Sequence, residues 1–118
     1  MLIGTGFMLY TQIIKDKRVF LKLYKRGKFV SAKEITAYYL QNRLPYNRFG
    51  ITAGKKIGNA VARNRAKRIL REAYRKNEAI LPIGYDIIFV ARPDIAGIKS
   101  NKVEKFVAER LVKEMNKS

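Results

Sequence analysis

The sequence contains no histidine, no cysteine and no tryptophan among its 118 residues. The lack of histidine excludes a Ser-His-Asp triad, a histidine acid/base pair and histidine metal ligands. The lack of cysteine excludes a thiol nucleophile, a disulfide framework and a zinc finger. No run of the chain approaches the roughly 18 apolar residues of a transmembrane helix. We therefore expect a cytoplasmic protein with no membrane partner, since a disulfide-free chain fits a reducing compartment.

Acidic residues are also scarce, and the basic residues that outnumber them are unevenly placed. There are 26 Lys and Arg against 9 Asp and Glu, which gives a formal net charge of +17. Residues 1–76 hold 19 of the basic residues and only three acids, whereas residues 77–118 hold 7 basic and 6 acidic residues. Such clustering predicts a surface that binds a polyanion, chiefly nucleic acid. A solvated basic surface and a patch for anionic membranes are the alternatives.

The length predicts a single domain over residues 1–118. We expect residues 1–12 to be irregular or vector-derived, with residues 1–7 coming from cloning or from an upstream misread start. Residues 13–118 are expected to form one folded domain that binds nucleic acid.

The first half of this domain is predicted to contain one helix and two strands. Asp16 can cap a helix over Lys17–Arg26. Phe29–Leu40 is rich in aromatic and β-branched residues, which predicts a strand with a bend near Ser31–Lys33. A turn separates it from a second strand over Arg48–Lys55, so we expect these two strands to form a hairpin.

The second half is predicted to continue as helix, strand and helix. Asn59 is the expected N-cap of a long helix from Ala60 to about Lys76. The apolar run Tyr85–Ala91 predicts a buried central strand. Asn101 and Glu104 form a variant capping box at the start of a terminal helix. The order α-β-β-α-β-α predicts an α+β fold in which helices pack against a small mixed sheet.

The helix that begins at Ala60 has two opposite faces. On a helical wheel, the small and apolar residues fall within one arc of about 100°: Ala62, Ala66, Ile69, Leu70 and Ala73. The polar and cationic residues fall within the opposite arc, which also spans about 100°: Asn64, Lys67, Arg68, Arg71 and Arg75. Like charges three and four positions apart destabilise an isolated helix. The pattern predicts that an external polyanion compensates them, with an ordinary solvated face as the alternative.

The residues from Lys55 to Arg68 read KKIGNAVARNRAKR, and Arg71-Glu72 continues the pattern. This segment closely resembles the Arg-Asn-Arg helix, preceded by Gly-Asn, of the bacterial ribonuclease P protein component. The likeness extends from about Lys15 to Lys113. Tyr24 departs from it mildly, because the family often has Phe there.

The resemblance implies a fold like the second domain of a small-subunit ribosomal protein, with a left-handed β-α-β crossover. It also implies a protein subunit of an endoribonuclease whose RNA subunit carries out the chemistry. That RNA holds the catalytic Mg²⁺ ions and removes the 5′ leader from precursor tRNA. The expected partners of the protein are then the ribonuclease P RNA and the leader of precursor tRNA, and no obligate partner that is itself a protein is expected.

The expected contacts fall into two groups. Contacts to the catalytic RNA are expected from the long helix and the residues before it: Lys55, Lys56, Asn59, Arg63, Asn64, Arg65, Lys67, Arg68, Arg71 and Arg75. Contacts to the single-stranded leader are expected in a cleft between the first helix and the sheet: Phe20, Tyr24, Thr36 and Tyr38, with Arg48 and Thr52 as weaker candidates. Aromatic rings stack unpaired bases with little sequence preference. Ordinary half-buried aromatics are the alternative.

No catalytic residue and no metal ligand is expected in the protein itself. The nine acids form no close pair in sequence, and neither Asp86 nor Asp94 belongs to a nuclease motif. A structural RNA-binding protein on the same scaffold, such as a ribosomal protein, and a self-sufficient metal nuclease are the alternative functions.

Overall fold

The first helix begins and ends where the sequence predicts. The computed structural model describes residues 10–98 and 100–117. Helix α1 spans Lys17–Arg26, and the Asp16 carboxylate accepts a hydrogen bond from the Arg18 backbone N–H at 2.9 Å. This cap satisfies one of the otherwise unpaired amide groups of the first turn. The predicted bounds of the helix and its cap are confirmed.

Five strands form one mixed sheet: β1 Thr11–Ile13, β2 Lys28–Ser31, β3 Ile35–Gln41, β4 Asn47–Thr52 and β5 Tyr85–Ala91. Their order across the sheet is β1-β4-β5-β3-β2. The pairs β2–β3 and β3–β5 are antiparallel, whereas β1–β4 and β4–β5 are parallel. The α+β class and the central position of Tyr85–Ala91 are therefore confirmed.

Strand pairing differs from the prediction in the first half of the chain. The predicted single strand over Phe29–Leu40 is wrong, because the chain reverses between Ser31 and Ile35 and forms β2 and β3. The predicted hairpin with Arg48–Lys55 is also wrong, since β5 lies between β3 and β4. Strand β4 ends at Thr52 because Lys55–Ile57 forms a short 3₁₀ helix.

The expected irregular segment over residues 1–12 is wrong for Thr11 and Gln12, which belong to β1. Residues 1–9 lie outside the described residues. Two hydrogen bonds attach β1 to the end of the long helix, because the Glu78 carboxylate accepts from the Tyr10 backbone N–H and from Thr11 Oγ1, both at 2.7 Å. The predicted order of elements is otherwise retained, with β1 added and one strand divided in two.

The long helix α2 spans Ala60–Asn77 and connects the parallel neighbours β4 and β5. A β-α-β unit is thus present, and its hand stays a prediction. Buried residues of α2 pack on one face of the sheet together with the terminal helix. Helix α1 packs on the opposite face, where Ile14, Leu23 and Ile88 form a smaller core. The sheet face beside α1 is therefore only partly covered.

The terminal helix consists of α3 Ser100–Phe106, a wider π turn over Val107–Leu111, and α4 Val112–Asn116. Five apolar residues at helical spacing are buried on its inner side: Val103, Phe106, Val107, Leu111 and Met115. The expected N-cap is wrong, because Asn101 lies inside the helix rather than before it. No helix in the described ranges combines the length and the apolar character needed to cross a membrane.

Candidate nucleic-acid interface

The start of α2 is fixed by a glycine and a capping asparagine. Gly58 has a φ of +137°, a backbone conformation that a side chain would strain. Asn59 Oδ1 then accepts a hydrogen bond from the Ala62 backbone N–H at 2.9 Å. Just before them, Ile57 is buried, whereas Lys55 and Lys56 are exposed. The Gly-Asn pair therefore starts the helix and leaves two cations at its amino end.

The two faces of α2 separate as the sequence predicted. Of the predicted inward residues, Ala62 is half-buried and the other four are buried, and Tyr74 is buried beside them. The outward face is polar, and its exposed members are Asn64, Arg65, Arg68, Arg71 and Arg75. Arg63 and Lys67 lie at the margins and are half-buried. The cationic residues thus project from the fold rather than into it.

Acidic neighbours neutralise little of this face. Arg75 forms an ion pair with Glu72, and the hydrogen bond from Arg75 lowers the pKa of the Glu72 carboxyl. Among the described residues, no carboxylate forms an ion pair with Arg63, Arg65, Lys67, Arg68 or Arg71. The face defined by these five residues and Asn64, here called the α2 cationic face, therefore carries uncompensated positive charge.

The sheet face beside α1 carries aromatic rings. Leu23 is fully buried there, while Phe20 is half-buried and Tyr24 is 41% exposed. The Tyr24 and Tyr38 rings meet edge to face, with centroids 5.0 Å apart. Leu23 thus packs inward, whereas Phe20 and Tyr24 lie at the surface of this sheet face. We call this surface the aromatic face.

The remaining predicted leader residues lie on the same side of the sheet. Thr36 on β3 and Thr52 on β4 are both paired with Val90 of β5, from opposite sides of that strand. Thr36 is buried, and its hydroxyl forms a 2.7 Å hydrogen bond with Ser31 Oγ. Thr52 is half-buried. The Thr36 hydroxyl is therefore already bonded within the protein, and Thr36 lies beneath the aromatic face rather than offering a free hydroxyl group to a ligand.

Arg48 is held by an acid on the neighbouring strand. Its Nε and Nη2 atoms donate to the two Asp86 carboxylate oxygens at 2.7 and 2.9 Å. The hydrogen bond to Asp86 raises the pKa of the Arg48 guanidinium. The Arg48 side chain remains 32% exposed. A cation is thus fixed in orientation at the end of the aromatic face, beside a pocket of about 460 Å³.

The aromatic face and the α2 cationic face meet at the edge of β4. Strand β1 ends at Ile13, opposite Phe49, so the last residues of β4 have no strand partner on that side among the described residues. A pocket of about 220 Å³ lies there and is lined by Phe20 and Gly50 together with Lys67 and Arg71. The two predicted surfaces therefore form one continuous surface.

Sequence reasoning missed two residues on the aromatic face. Arg92 is exposed, and its Nη1 atom lies 3.5 Å from Thr36 Oγ1. Phe29 is 62% exposed, and its ring centroid lies 5.7 Å from that of Tyr38. Alternation along β5 could have identified Arg92, because it shares the parity of Ile88 and Val90. Phe29 could be placed only once β2 and β3 were known to pair.

The two acids considered as nuclease candidates lie at opposite ends of strand β5. Asp86 lies at the start of β5 and pairs with Arg48, whereas Asp94 follows the other end of that strand. Within residues 10–98 and 100–117, no three acidic side chains lie close enough together to hold a metal ion.

Comparison with known proteins identifies the family. The family model described as Ribonuclease P matches residues 8–116. The chain belongs to the ribonuclease P protein family. It is 38% identical over 112 residues to the ribonuclease P protein component of Pelotomaculum thermopropionicum, covering 94% of this chain and 100% of that one. It is 41% identical over 105 residues to the Clostridioides difficile component, covering 87% and 90%. The chain is thus a protein component of a ribonucleoprotein endoribonuclease.

Solved structures of the ribonuclease P protein family share this fold. The protein from Thermotoga maritima superposes with a TM-score of 0.76 at 28% identity, covering 87% of this chain and 96% of that one. The protein from Staphylococcus aureus superposes with a TM-score of 0.74 at 29% identity, covering 89% and 94%. The α+β architecture is therefore that of the family.

Proposed function

We propose that this chain binds the ribonuclease P RNA through the α2 cationic face and holds the 5′ leader of precursor tRNA on the aromatic face. The RNA subunit, with Mg²⁺ bound to it, hydrolyses the phosphodiester bond and releases the mature 5′ end. The protein contributes binding and orientation, acts in the cytoplasm and needs no other protein partner.

The observation that carries this proposal is the uncompensated charge of the α2 cationic face. Arginine suits phosphate binding because its planar guanidinium donates two parallel hydrogen bonds, and it also stacks on bases. Asn64, between Arg63 and Arg65, both donates and accepts hydrogen bonds, as contact with a ribose 2′-hydroxyl or a base edge requires. These groups suit a folded RNA better than a flat charged membrane.

The aromatic face supports the second half of the proposal. Exposed rings stack unpaired bases whatever their sequence, which suits leaders that differ among precursors. Arg48 adds a fixed cation to this surface, and Asp86 holds it in place. Because Lys67 and Arg71 line the same pocket as Phe20, a leader and the catalytic RNA can be held side by side.

Reconstitution tests the proposal directly. Purified protein is mixed with ribonuclease P RNA and precursor tRNA at low Mg²⁺, and leader removal is followed. We expect stimulation only when the RNA is present. Cleavage by the protein alone would instead support a metal nuclease, and the absence of stimulation would support a structural RNA-binding protein.

A substitution in α1 tests the leader contact separately. Phe20→Leu keeps an apolar side chain against the sheet but removes the ring. It is expected to weaken holoenzyme binding of precursor tRNA more than binding of mature tRNA. Leu21→Ala is the control, since Leu21 is 57% exposed and lies outside both surfaces. Equal losses for precursor and mature tRNA would contradict a leader site at Phe20.

A further inference from the structure

We propose that Phe29 is an additional base-stacking residue that extends the leader surface from Tyr38 to the edge strand β2. The inference rests on the proposed function and adds to it a subsite at the outer end of the aromatic face. It concerns a residue that the resemblance did not assign to the leader.

The Phe29 ring continues a row of aromatic rings on this face of the sheet. Phe29 pairs directly with Tyr38 across β2 and β3, so both side chains point to the same side of the sheet. The Phe29 and Tyr38 rings are inclined at 43° to each other, and Tyr38 in turn contacts Tyr24. Three rings from α1, β3 and β2 thus form one row that leads away from the groove beside α1.

The Phe29 ring is not part of the hydrophobic core. Val30, the next residue along β2, is 7% exposed and points into the main core. Phe29 points the opposite way and keeps 62% of its surface open to solvent. Single exposed apolar residues are common on proteins. This one is distinguished by its ring contact with a residue of the proposed leader site.

Basic side chains surround the exposed Phe29 ring. Phe29 follows Lys28 and borders a groove of about 530 Å³ along the outer edge of β2. The terminal helix contributes Arg110, Lys113 and Lys117 to this groove, together with Glu109 and Glu114. Lys117 and Glu114 form an ion pair, while Lys113 forms none with the described acids. The groove thus carries a small positive excess beside the exposed ring.

The net charge of the protein favours a single-stranded leader over a second copy of the chain as the ligand beside Phe29. An exposed edge strand can pair with a second copy of the same chain. A second copy, however, would bring another net charge of +17 to this surface, and the repulsion would oppose pairing. A single-stranded leader carries negative phosphates between stackable bases, so it matches both the ring and the surrounding cations.

The experiment measures holoenzyme affinity for precursor tRNAs whose leaders are lengthened one nucleotide at a time. Phe29→Ala and Phe29→Leu should bind short-leader precursors and mature tRNA like the unsubstituted protein. Beyond a threshold length, both should lose about 5- to 150-fold in affinity, the usual range for one stacked base. Phe29→Tyr should retain affinity, and Leu21→Ala is the control for loss of an exposed apolar side chain.

A fluorescent base analogue distinguishes stacking from a structural effect. With 2-aminopurine placed at successive leader positions, one position should be quenched by the unsubstituted protein and become bright in Phe29→Leu. Unchanged affinity at every leader length, or full retention of affinity by Phe29→Leu, would overturn the inference. So would a dimer of the free protein that Phe29→Ala dissociates without any effect on leader binding.

The Phe20→Leu variant separates this inference from the proposed function. Leader selectivity that is lost in Phe20→Leu but intact in Phe29→Ala would reject the Phe29 subsite and leave the proposed function standing. Selectivity that is intact in both variants would reject the leader surface itself.

Discussion

The ring of Phe20 lies directly over Gly50. A Cβ atom on Gly50 would approach Phe20 Cζ to 2.5 Å, so any side chain at this position of β4 must displace the ring. Gly50 thereby lets α1 bring an aromatic residue down to the backbone of β4, beside Lys67 and Arg71. This close approach links the aromatic face to the α2 cationic face.

Gly50→Ala is therefore expected to move the Phe20 ring and to weaken leader binding while leaving mature tRNA binding unchanged. Overpacking of this kind costs about 1–3 kcal/mol of folding free energy. Because the contact is the far end of a side chain, we expect the lower part of that range. Urea denaturation and the affinity for precursor and mature tRNA check both effects.

Gly97→Ala is the matched control, since a Cβ atom there would meet nothing within 4 Å. Unchanged leader affinity in Gly50→Ala would show that the position of the Phe20 ring does not matter for binding.

Sequence patterns predicted well those elements whose signals are local. Helix α2 could be predicted because Asn59 caps it and its apolar positions recur at helical spacing. Strand β5 could be predicted because its apolar run, interrupted only by Asp86, indicates burial on both faces. The pairing of β4 was missed because neighbours in sequence are the default expectation, whereas β4 pairs with a strand that follows α2.

The residues of the candidate site were likewise predictable from sequence only where they lie on one element. The α2 cationic face could be located from sequence because all its members lie on one helix. The row Tyr24, Tyr38 and Phe29 could not, because it requires the β2–β3 register. The ion pair between Arg48 and Asp86 joins residues 38 positions apart, and no local pattern connects them.

Removing the partner of Arg48 is expected to reduce both stability and leader affinity. Asp86 is 4% exposed and also accepts a 3.0 Å hydrogen bond from Asn42 Nδ2, so Asp86→Asn leaves a partly buried guanidinium without its counter-charge. Breaking such a pair costs about 2–4 kcal/mol when one partner is partly solvated. Urea denaturation measures the loss of folding free energy. The affinity for precursor tRNA shows whether Arg48 still contributes to leader binding when Asp86 no longer fixes its orientation.

Asp16→Asn provides the comparison. The Asp16–Arg18 pair is exposed, and asparagine caps a helix about as well as aspartate. We expect Asp16→Asn to cost much less than Asp86→Asn, and similar losses in the two variants would show that the Arg48–Asp86 pair is no stronger than a surface contact.

Alkaline pH should destabilise the fold through Tyr74. Burial raises the pKa of Tyr74 to about 12, whereas an unfolded tyrosine titrates near 10. The unfolded chain therefore releases this proton first as the pH rises. The stability contributed by neutral Tyr74 is complete below pH 10 and falls by about 2–3 kcal/mol between pH 10 and 12.

Tyr74→Phe isolates this effect from all other groups that titrate at high pH. The variant loses the 2.6 Å hydrogen bond with Thr11 Oγ1, so it should be less stable than the unsubstituted protein at neutral pH. The difference between the two unfolding free energies should then shrink as the pH rises from 10 to 12. A difference that stays constant across this window would show that Tyr74 does not titrate differently in the folded state.

The α2 cationic face should give RNA binding a steep salt dependence. Each neutralised phosphate releases counterions, and the logarithm of the binding constant falls by about 0.7–0.9 per contact for each tenfold rise in salt. Arg68→Gln with Arg71→Gln should therefore lower the slope by about 1.4–1.8 as well as the affinity. Lys33→Gln with Lys105→Gln removes the same charge from exposed positions outside α2 and should leave the slope nearly unchanged. Equal changes of slope in the two double variants would mean that the RNA senses only the net charge of the protein, because direct contacts depend on position and a diffuse field does not.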